Sequence, residues 1–325
     1  MNTKSVASSL LAAMSLGMTG YRTFAADFYP SRPIRLVVPS GAGGNTDFLA
    51  RMLAEKLRSP LGQPVIVDNR SAASGIVGTE LVAKAAPDGY TLLMVFPSHP
   101  VNPSLYSDLP YDTIKDFAPI TMVSTVTQVL LVNSKSPAKS VKELIALAAQ
   151  RPGQLNYGAV GRGSLGDLSA RLFGSIAGIE LVPVFYKSAP QIMTALIQGE
   201  LQIYFSPPVV AVPQIKSERV RALGVSTKAR LAIIPDVPTI AESGLPGFEV
   251  VGWNGILAPA RTPRSVIDRL HKEIVAVLRS ADVEAQIAAQ GIEPLANTPE
   301  EFGRIIRADV EKWARVLKGA RIKVN

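Results

Sequence analysis

Ile34-Arg35-Leu36-Val37-Val38-Pro39-Ser40-Gly41-Ala42-Gly43-Gly44-Asn45-Thr46-Asp47-Phe48-Leu49-Ala50-Arg51 begins as an apolar run and passes through glycines. It then enters a segment in which Leu49, Leu53 and Leu57 recur at helical spacing. The same order of strand, glycine loop and helix returns after Leu155-Asn156-Tyr157, as Gly161-Arg162-Gly163-Ser164-Leu165-Gly166-Asp167-Leu168-Ser169-Ala170-Arg171. Both copies obey Gly-x-Gly-x-x-x-Asp-x-x-Ala-Arg. Glycine lets a backbone approach a ligand closely, and a helix start points unpaired N–H groups and the positive end of its dipole into the same space. Two such loops facing each other across a cleft hold an anion. The match is short, and an internal repeat and chance similarity between two βα turns both account for it; the anion argument needs only the loops.

Outward from the first copy, residues 34–38, 65–67, 92–96 and 129–132 read as buried strands, with helical spacing at Leu49, Leu53 and Leu57 and again at Val77, Leu81 and Ala85. A second series follows: a helix over 141–150, a strand over 155–159, a helix over 168–177 and a strand over 181–185. It continues with a helix near 192–198 and strands over 201–205 and 221–226. Such alternation predicts α/β sheets covered by helices on both faces. Ser140 with Glu143 is a capping box, while Thr262-Pro263 and Thr298-Pro299 read as N-cap plus proline starts. The last helix carries an apolar face of Phe302, Ile305, Ile306, Trp313 and Leu317, expected to pack on the first lobe. An extended segment over 248–257 returns the chain to that lobe, so two crossings, near 126–129 and 247–252, form a hinge.

The chain has 325 residues, more than one ordinary domain holds, and two lobes of about 100 to 150 residues are expected. Their boundaries are read as 26–127 plus 248–325 for lobe 1 and 128–247 for lobe 2. Residues 1–25 carry Lys4, an apolar stretch from Val6 to Met18 and small residues at Thr23 and Ala25. They read as a secretory signal peptide, too short to span a bilayer, which places the mature protein in the periplasm. Cysteine is absent, which excludes disulfides, thiolate metal sites and a lipid-modified cysteine. The formal net charge is +8, but Lys and Arg are scattered and aromatics are only 6%, which argues against nucleic acid and for attraction of small anions.

No nucleotide motif is present, because the first loop lacks the third glycine of a dinucleotide fingerprint and the Gly-Lys-Ser/Thr of a P-loop. With only His99 and His271, neither a metal site nor a cofactor is expected. His271 reads as solvent-facing. Ser98-His99 follows a strand, where loops line ligand crevices. Ser164 fails Gly-x-Ser-x-Gly at its first position and reads as a cap, so no catalytic residue is assigned. The candidate ligand-binding residues are Ser40, Gly41, Gly43 and Gly44, Ala73-Ser74-Gly75, Ser98 and His99, and Arg162-Gly163-Ser164. Each hydrogen bond to a charged acceptor contributes roughly 1.5 to 3 kcal/mol, and four or five give about micromolar affinity without a salt bridge.

Tyr29-Pro30-Ser31-Arg32-Pro33, Gly43-Gly44-x-x-Asp47, Gly62-Gln63-Pro64-Val65 and Ala86-Pro87-Asp88-Gly89-Tyr90 resemble the Bug family. So do Asn102-Pro103-Ser104-Leu105-Tyr106, Lys115-Asp116-Phe117-Ala118-Pro119, Pro235-Asp236-Val237-Pro238-Thr239 and Leu257-Ala258-Pro259-Ala260. These are periplasmic solute receptors of tripartite tricarboxylate transporters. The resemblance covers essentially the whole mature chain. It implies a type II periplasmic-binding-protein fold, two α/β lobes closing on a small carboxylate, and delivery to a membrane permease by a monomer that is not an enzyme. It also implies ligand contacts from the loops matching residues 40–47, 73–76, 98–99 and 161–164 and from the segment at Tyr186. Four departures bear on specificity: Ser40-Gly41 replaces Pro-Pro, Arg162 replaces Asn, Asp167 replaces His, and Ser206 stands where an acid is common. Together they favour a di- or tricarboxylate or an aromatic acid over an amino acid, with Arg162 either in the cleft or in solvent. Two other readings stay open, a secreted hydrolase or isomerase using Ser164 or His99, and a receptor turned signalling sensor.

Overall fold

The computed structural model describes residues 29–72, 75–290 and 292–319, so the expected signal peptide lies outside the described residues. The chain forms β1(Ile34–Val38), α1(Asn45–Leu61), β2(Val65–Asn69), α2(Ile76–Ala83), β3(Thr91–Val95), α3(Asn102–Leu105) and β4(Phe117–Val126). It then crosses to β5(Val129–Asn133), α4(Val141–Gln150), β6(Leu155–Ala159), α5(Leu165–Ala177), β7(Leu181–Phe185), α6(Ala189–Gln198), β8(Ile203–Ser206), α7(Pro208–Lys216) and β9(Val220–Val225). It returns through β10(Gly252–Pro259), α8(Arg264–Leu278), α9(Ala281–Ala288) and α10(Pro299–Gly319).

The two five-stranded sheets share one plan. Their orders are β2-β1-β3-β10-β4 and β7-β6-β8-β5-β9. In each, three parallel strands meet an antiparallel fourth, β10 or β5. That fourth strand is the first one the chain lays down after crossing between the lobes. The matched glycine loops follow β1 and β6, the middle strands of the two parallel triplets.

Strand periodicity sends successive side chains to opposite faces, and each sheet has a core on each side. In the first lobe Leu36, Val38, Leu92, Met94 and Ile256 lie in the core under α1 and α8, while Val37, Leu93, Val95 and Leu257 lie in the one under α10. Leu130, Val132, Tyr157 and Phe205 face α5 in the second lobe, and Val129, Leu131 and Tyr204 face α6. Full burial of one such side chain contributes about 1.5 to 3 kcal/mol. Two local expectations shift by a residue or a face. Residues 65–67 belong to the half-buried edge strand β2, where Ile66 is exposed, and α2 buries Gly78, Thr79 and Val82 rather than Val77 and Leu81.

Ser140 and Thr298 cap as expected, the latter reciprocally with Glu301. Thr262 does not cap α8; its hydroxyl donates to the Pro259 carbonyl, and Pro263 takes the cap position. Phe302 and Ile306 of α10 pack on the first sheet. Trp313 and Leu317 reach a different core, which runs through Val101 and Leu105 into the second lobe, so α10 spans the joint.

Ser226 staples the two crossings. Its hydroxyl accepts from the Gln128 N–H at 2.9 Å and donates to the Val250 carbonyl at 2.6 Å, and its own N–H and C=O bond the same two residues. Ser226→Ala leaves a buried donor and a buried acceptor unpaired. We expect a loss of about 1–3 kcal/mol, read as a lower urea midpoint with unchanged slope.

Candidate functional site

The loops after β1, β2 and β3 and those after β6, β7 and β8 all lie at the carboxyl ends of parallel strands, where ligand crevices form in open α/β sheets. The joint between the lobes runs through them. The Ser98 hydroxyl, after β3, donates to the Gly163 carbonyl at 3.5 Å, and a Cβ on Gly163 would stand 2.4 Å from Leu105 Cδ1. A Cβ on Gly252, at the return crossing, would stand 2.5 Å from Pro97 and 3.1 Å from Leu165. The second glycine loop therefore packs directly on the first lobe's segment 97–105.

Both glycine loops have the same internal construction. Gly43 and Gly163 have φ of 81° and 72°, a left-handed turn that favours glycine. In the first loop the buried Asp47 carboxylate accepts from the Gly43 N–H at 2.9 Å, from Arg51 Nε at 3.0 Å and from Asn69 Nδ2 at 2.9 Å. In the second, the buried Asp167 carboxylate accepts from the Gly163 N–H at 2.9 Å, from Arg171 Nε at 2.9 Å and from the Tyr157 hydroxyl at 2.5 Å. Burial pushes the Asp47 carboxyl up, and the bonds from Arg51, Gly43 and Asn69 outweigh it, so the group lies below the ordinary aspartate range. Burial and the neighbouring Asp167 carboxylate push the Tyr157 phenol up.

The helix starts differ. Ser164 caps α5, its oxygen accepting from the Asp167 N–H at 3.5 Å, while α1 begins at Gly44 with no side-chain cap. Above the α1 start, the Ser40 hydroxyl oxygen is buried and meets no hydrogen-bond partner among the described residues, and the Ser40 carbonyl accepts from Asn69 Nδ2. Orphaned buried polar atoms mark places for a ligand or ordered water. Thr46 links this loop to the return strand, its hydroxyl donating to Asn254 Oδ1 at 3.0 Å, and Asn254 in turn donates to Ser124.

The remaining candidates fall as follows. Gly41, Gly43 and Gly44 are exposed, and Arg162 is exposed with no ion pair among the described residues. Gly75 is buried against Phe96 and the Pro39 carbonyl; Ala73 and Ser74 lie outside the described residues. Tyr186 is half-buried, and its N–H bonds the Ala159 carbonyl. Ser206 is fully buried and donates to the Pro207 carbonyl. His99 departs from expectation, being 3% exposed, stacked on Tyr111 and edge-on to Phe117. Its segment meets the joint through Ser98 while the imidazole points into the core. His271 is half-buried rather than solvent-facing, its ring nitrogen 3.0 Å from the Asn297 carbonyl. Asp47 and Asp167 stood in the repeated motif without an assigned role. Their signal was the spacing itself, since Gly at i−4 and Arg at i+4 meet one carboxylate at a helix start.

A family model described as the tripartite tricarboxylate transporter family receptor matches residues 49–322. Protein BugT of Bordetella pertussis is 37% identical over 302 residues, covering 92% of this chain and 93% of that one. The structure of R. palustris Rpa4515 with adipate superposes with a TM-score of 0.84 at 35% identity, covering 91% of this chain and 99% of that one. MatC from Rhodopseudomonas palustris with bound malate gives a TM-score of 0.81 at 29% identity, covering 89% and 100%. This chain belongs to the receptor family of the tripartite tricarboxylate transporters.

Proposed function

We propose that the protein is an extracytoplasmic receptor that takes a small organic anion bearing at least one carboxylate between its lobes. It hands that anion, chemically unchanged, to a membrane permease and works as a monomer. The observation that carries the reading is the matched pair of glycine loops at the same ends of two like-built sheets, the second of which meets the first lobe's loop after β3 at Ser98. Relatives solved with adipate and with malate support a carboxylate as the cargo. First-turn amides of α1 and α5 supply donors for it, backed by the helix dipoles, and the Ser40 hydroxyl adds one more.

A thermal-shift panel of mono-, di- and tricarboxylates, including adipate and malate, tests this. At about 100 times its dissociation constant a true ligand stabilises by roughly 2.7 kcal/mol, and the compound is recovered intact. Absence of any stabilising acid, or turnover of the stabilising one, overturns the reading. Arg162 is proposed to sit at the cleft mouth and attract the anion. Because its side chain is exposed, Arg162→Ala is expected to weaken a dicarboxylate by less than about 1 kcal/mol and to reduce the salt dependence of association. Unchanged calorimetric affinity and unchanged salt dependence would remove the arginine from the site.

A further inference from the structure

The two aspartates of the repeated motif do something a simple helix-capping pair does not. Each is almost wholly buried, at 4% and 2% exposure, yet each lies directly beneath a loop assigned to an anion. A bare carboxylate there would repel the cargo. In both lobes it is instead matched by one guanidinium four residues on, Arg51 or Arg171, and bonded to one glycine amide four residues back. The third donor differs, being Asn69 from the end of β2 in one lobe and Tyr157 from within β6 in the other. What the two lobes have in common is therefore the Gly-Asp-Arg unit, not its surroundings.

The unit has a consequence for which amides meet the ligand. The Gly43 and Gly163 N–H groups are turned back onto the carboxylates, and the Ser164 N–H bonds the Gly161 carbonyl. Among the described residues, the first-turn amides left without an acceptor are those of Asn45, Thr46 and Asp47 in the first lobe, where α1 lacks a side-chain cap, and of Leu165 and Gly166 in the second.

We propose that Asp47 and Asp167 are matched positioning residues. Each holds its loop's left-handed glycine so that the following first-turn amides present to the anion, and each is neutralised by its own arginine so that the cargo meets no net negative charge. The cargo part of this inference rests on the receptor reading above; the loop-holding part does not.

The test uses the full mature protein with adipate as probe, in calorimetry of Asp167→Asn, Arg171→Met and the double variant, together with amide hydrogen exchange at Gly163. Arg171→Met exposes the cargo to an unmatched carboxylate and is expected to weaken adipate by about tenfold or more. Asparagine keeps an acceptor for the glycine N–H but leaves Arg171 unmatched beneath the anion, so Asp167→Asn alone should hold or tighten adipate and not weaken it by more than about threefold, and the double variant should return to within about threefold of the wild type. A merely structural role predicts no such rescue. Gly163 exchange should stay slow in Asp167→Asn and quicken by about tenfold or more in Asp167→Ala. Equal losses in both single variants without rescue, or unaltered Gly163 exchange in Asp167→Ala, overturn the proposal. Should the wild type bind no carboxylate at all, the receptor reading fails with the charge-matching half, and the exchange data still decide whether Asp167 holds the loop.

Discussion

Gly163→Ala is expected to lower ligand affinity by roughly 30-fold or more, equivalent to about 2 kcal/mol. Two costs add at this position. A side chain in the left-handed region costs about 1–2 kcal/mol, and here φ is 72°. The new methyl would also stand 2.4 Å from Leu105 Cδ1, across the joint between the lobes, and overpacking of that kind costs about 1–3 kcal/mol. Because the second contact exists only where the second loop lies against segment 97–105, the clash opposes the docked arrangement of the lobes. Gly178→Ala is the matched control: its φ is 67°, at the C-cap of α5, and nothing lies within 4 Å of the added Cβ. It should lower stability by the backbone cost and leave affinity alone. Leu105→Ala in the Gly163→Ala background should recover the steric part only. Equal affinities for Gly163→Ala and Gly178→Ala would show that the loop is not part of the closing surface.

The contrast between these two glycines also marks what a sequence conveys. Both are glycines flanking α5, and only the fold tells that one faces another lobe and the other faces nothing. Local chemistry was legible: Leu49, Leu53 and Leu57 are buried as their spacing implies, and Ser140 and Thr298 cap their helices. The apolar runs read as strands fall on β1, β3 and β5 to within a residue. β4 escaped notice because Thr121 and Ser124, both fully buried, break its apolar pattern. Their hydroxyls are bonded by Asn297 and Asn254, partners more than a hundred residues away that no local window contains. α7 escaped because Pro213 lies within it.

The site divides along the same line. Its loops were visible because glycine and helix-start residues advertise themselves over a few positions. The roles of Asp47 and Asp167 depended on knowing that the carboxylates are buried, and burial of a charge is a tertiary property. His99, placed at the crevice by its position after a strand, has its ring buried beside Tyr111 and Phe117. Ser98, one residue earlier, makes the contact across the joint.

That buried imidazole leads to the second large effect, a loss of stability on acidification that belongs to one residue. Burial pushes the His99 pKa down from 6.5 to about 4, and the Thr113 backbone beside the ring restores only part of the shift. In the unfolded chain the ring takes up a proton as pH falls through 6.5; in the folded protein it stays neutral until about 4. The stability is thus fully present above the unfolded value and is lost as pH falls toward the folded one, by about 3 kcal/mol in all. The window lies above the one in which the lowered aspartates lose their contributions. Asp47, Asp68 and Asp112 all lie below their ordinary value of 3.8, so their contributions are lost at still lower pH. Asp309 works in the opposite sense. Burial raises its carboxyl despite the bond from Trp253 and the nearby Lys312, so its contribution is present below 3.8 and lost as pH rises through the folded value. His99→Phe keeps a ring among Tyr111 and Phe117 and removes the proton. Urea unfolding of both proteins between pH 6.5 and 4 should give a wild-type stability that falls by about 3 kcal/mol relative to the variant across that window. Parallel curves would mean that the imidazole is protonated in the folded protein, and so that the core around it admits a charge.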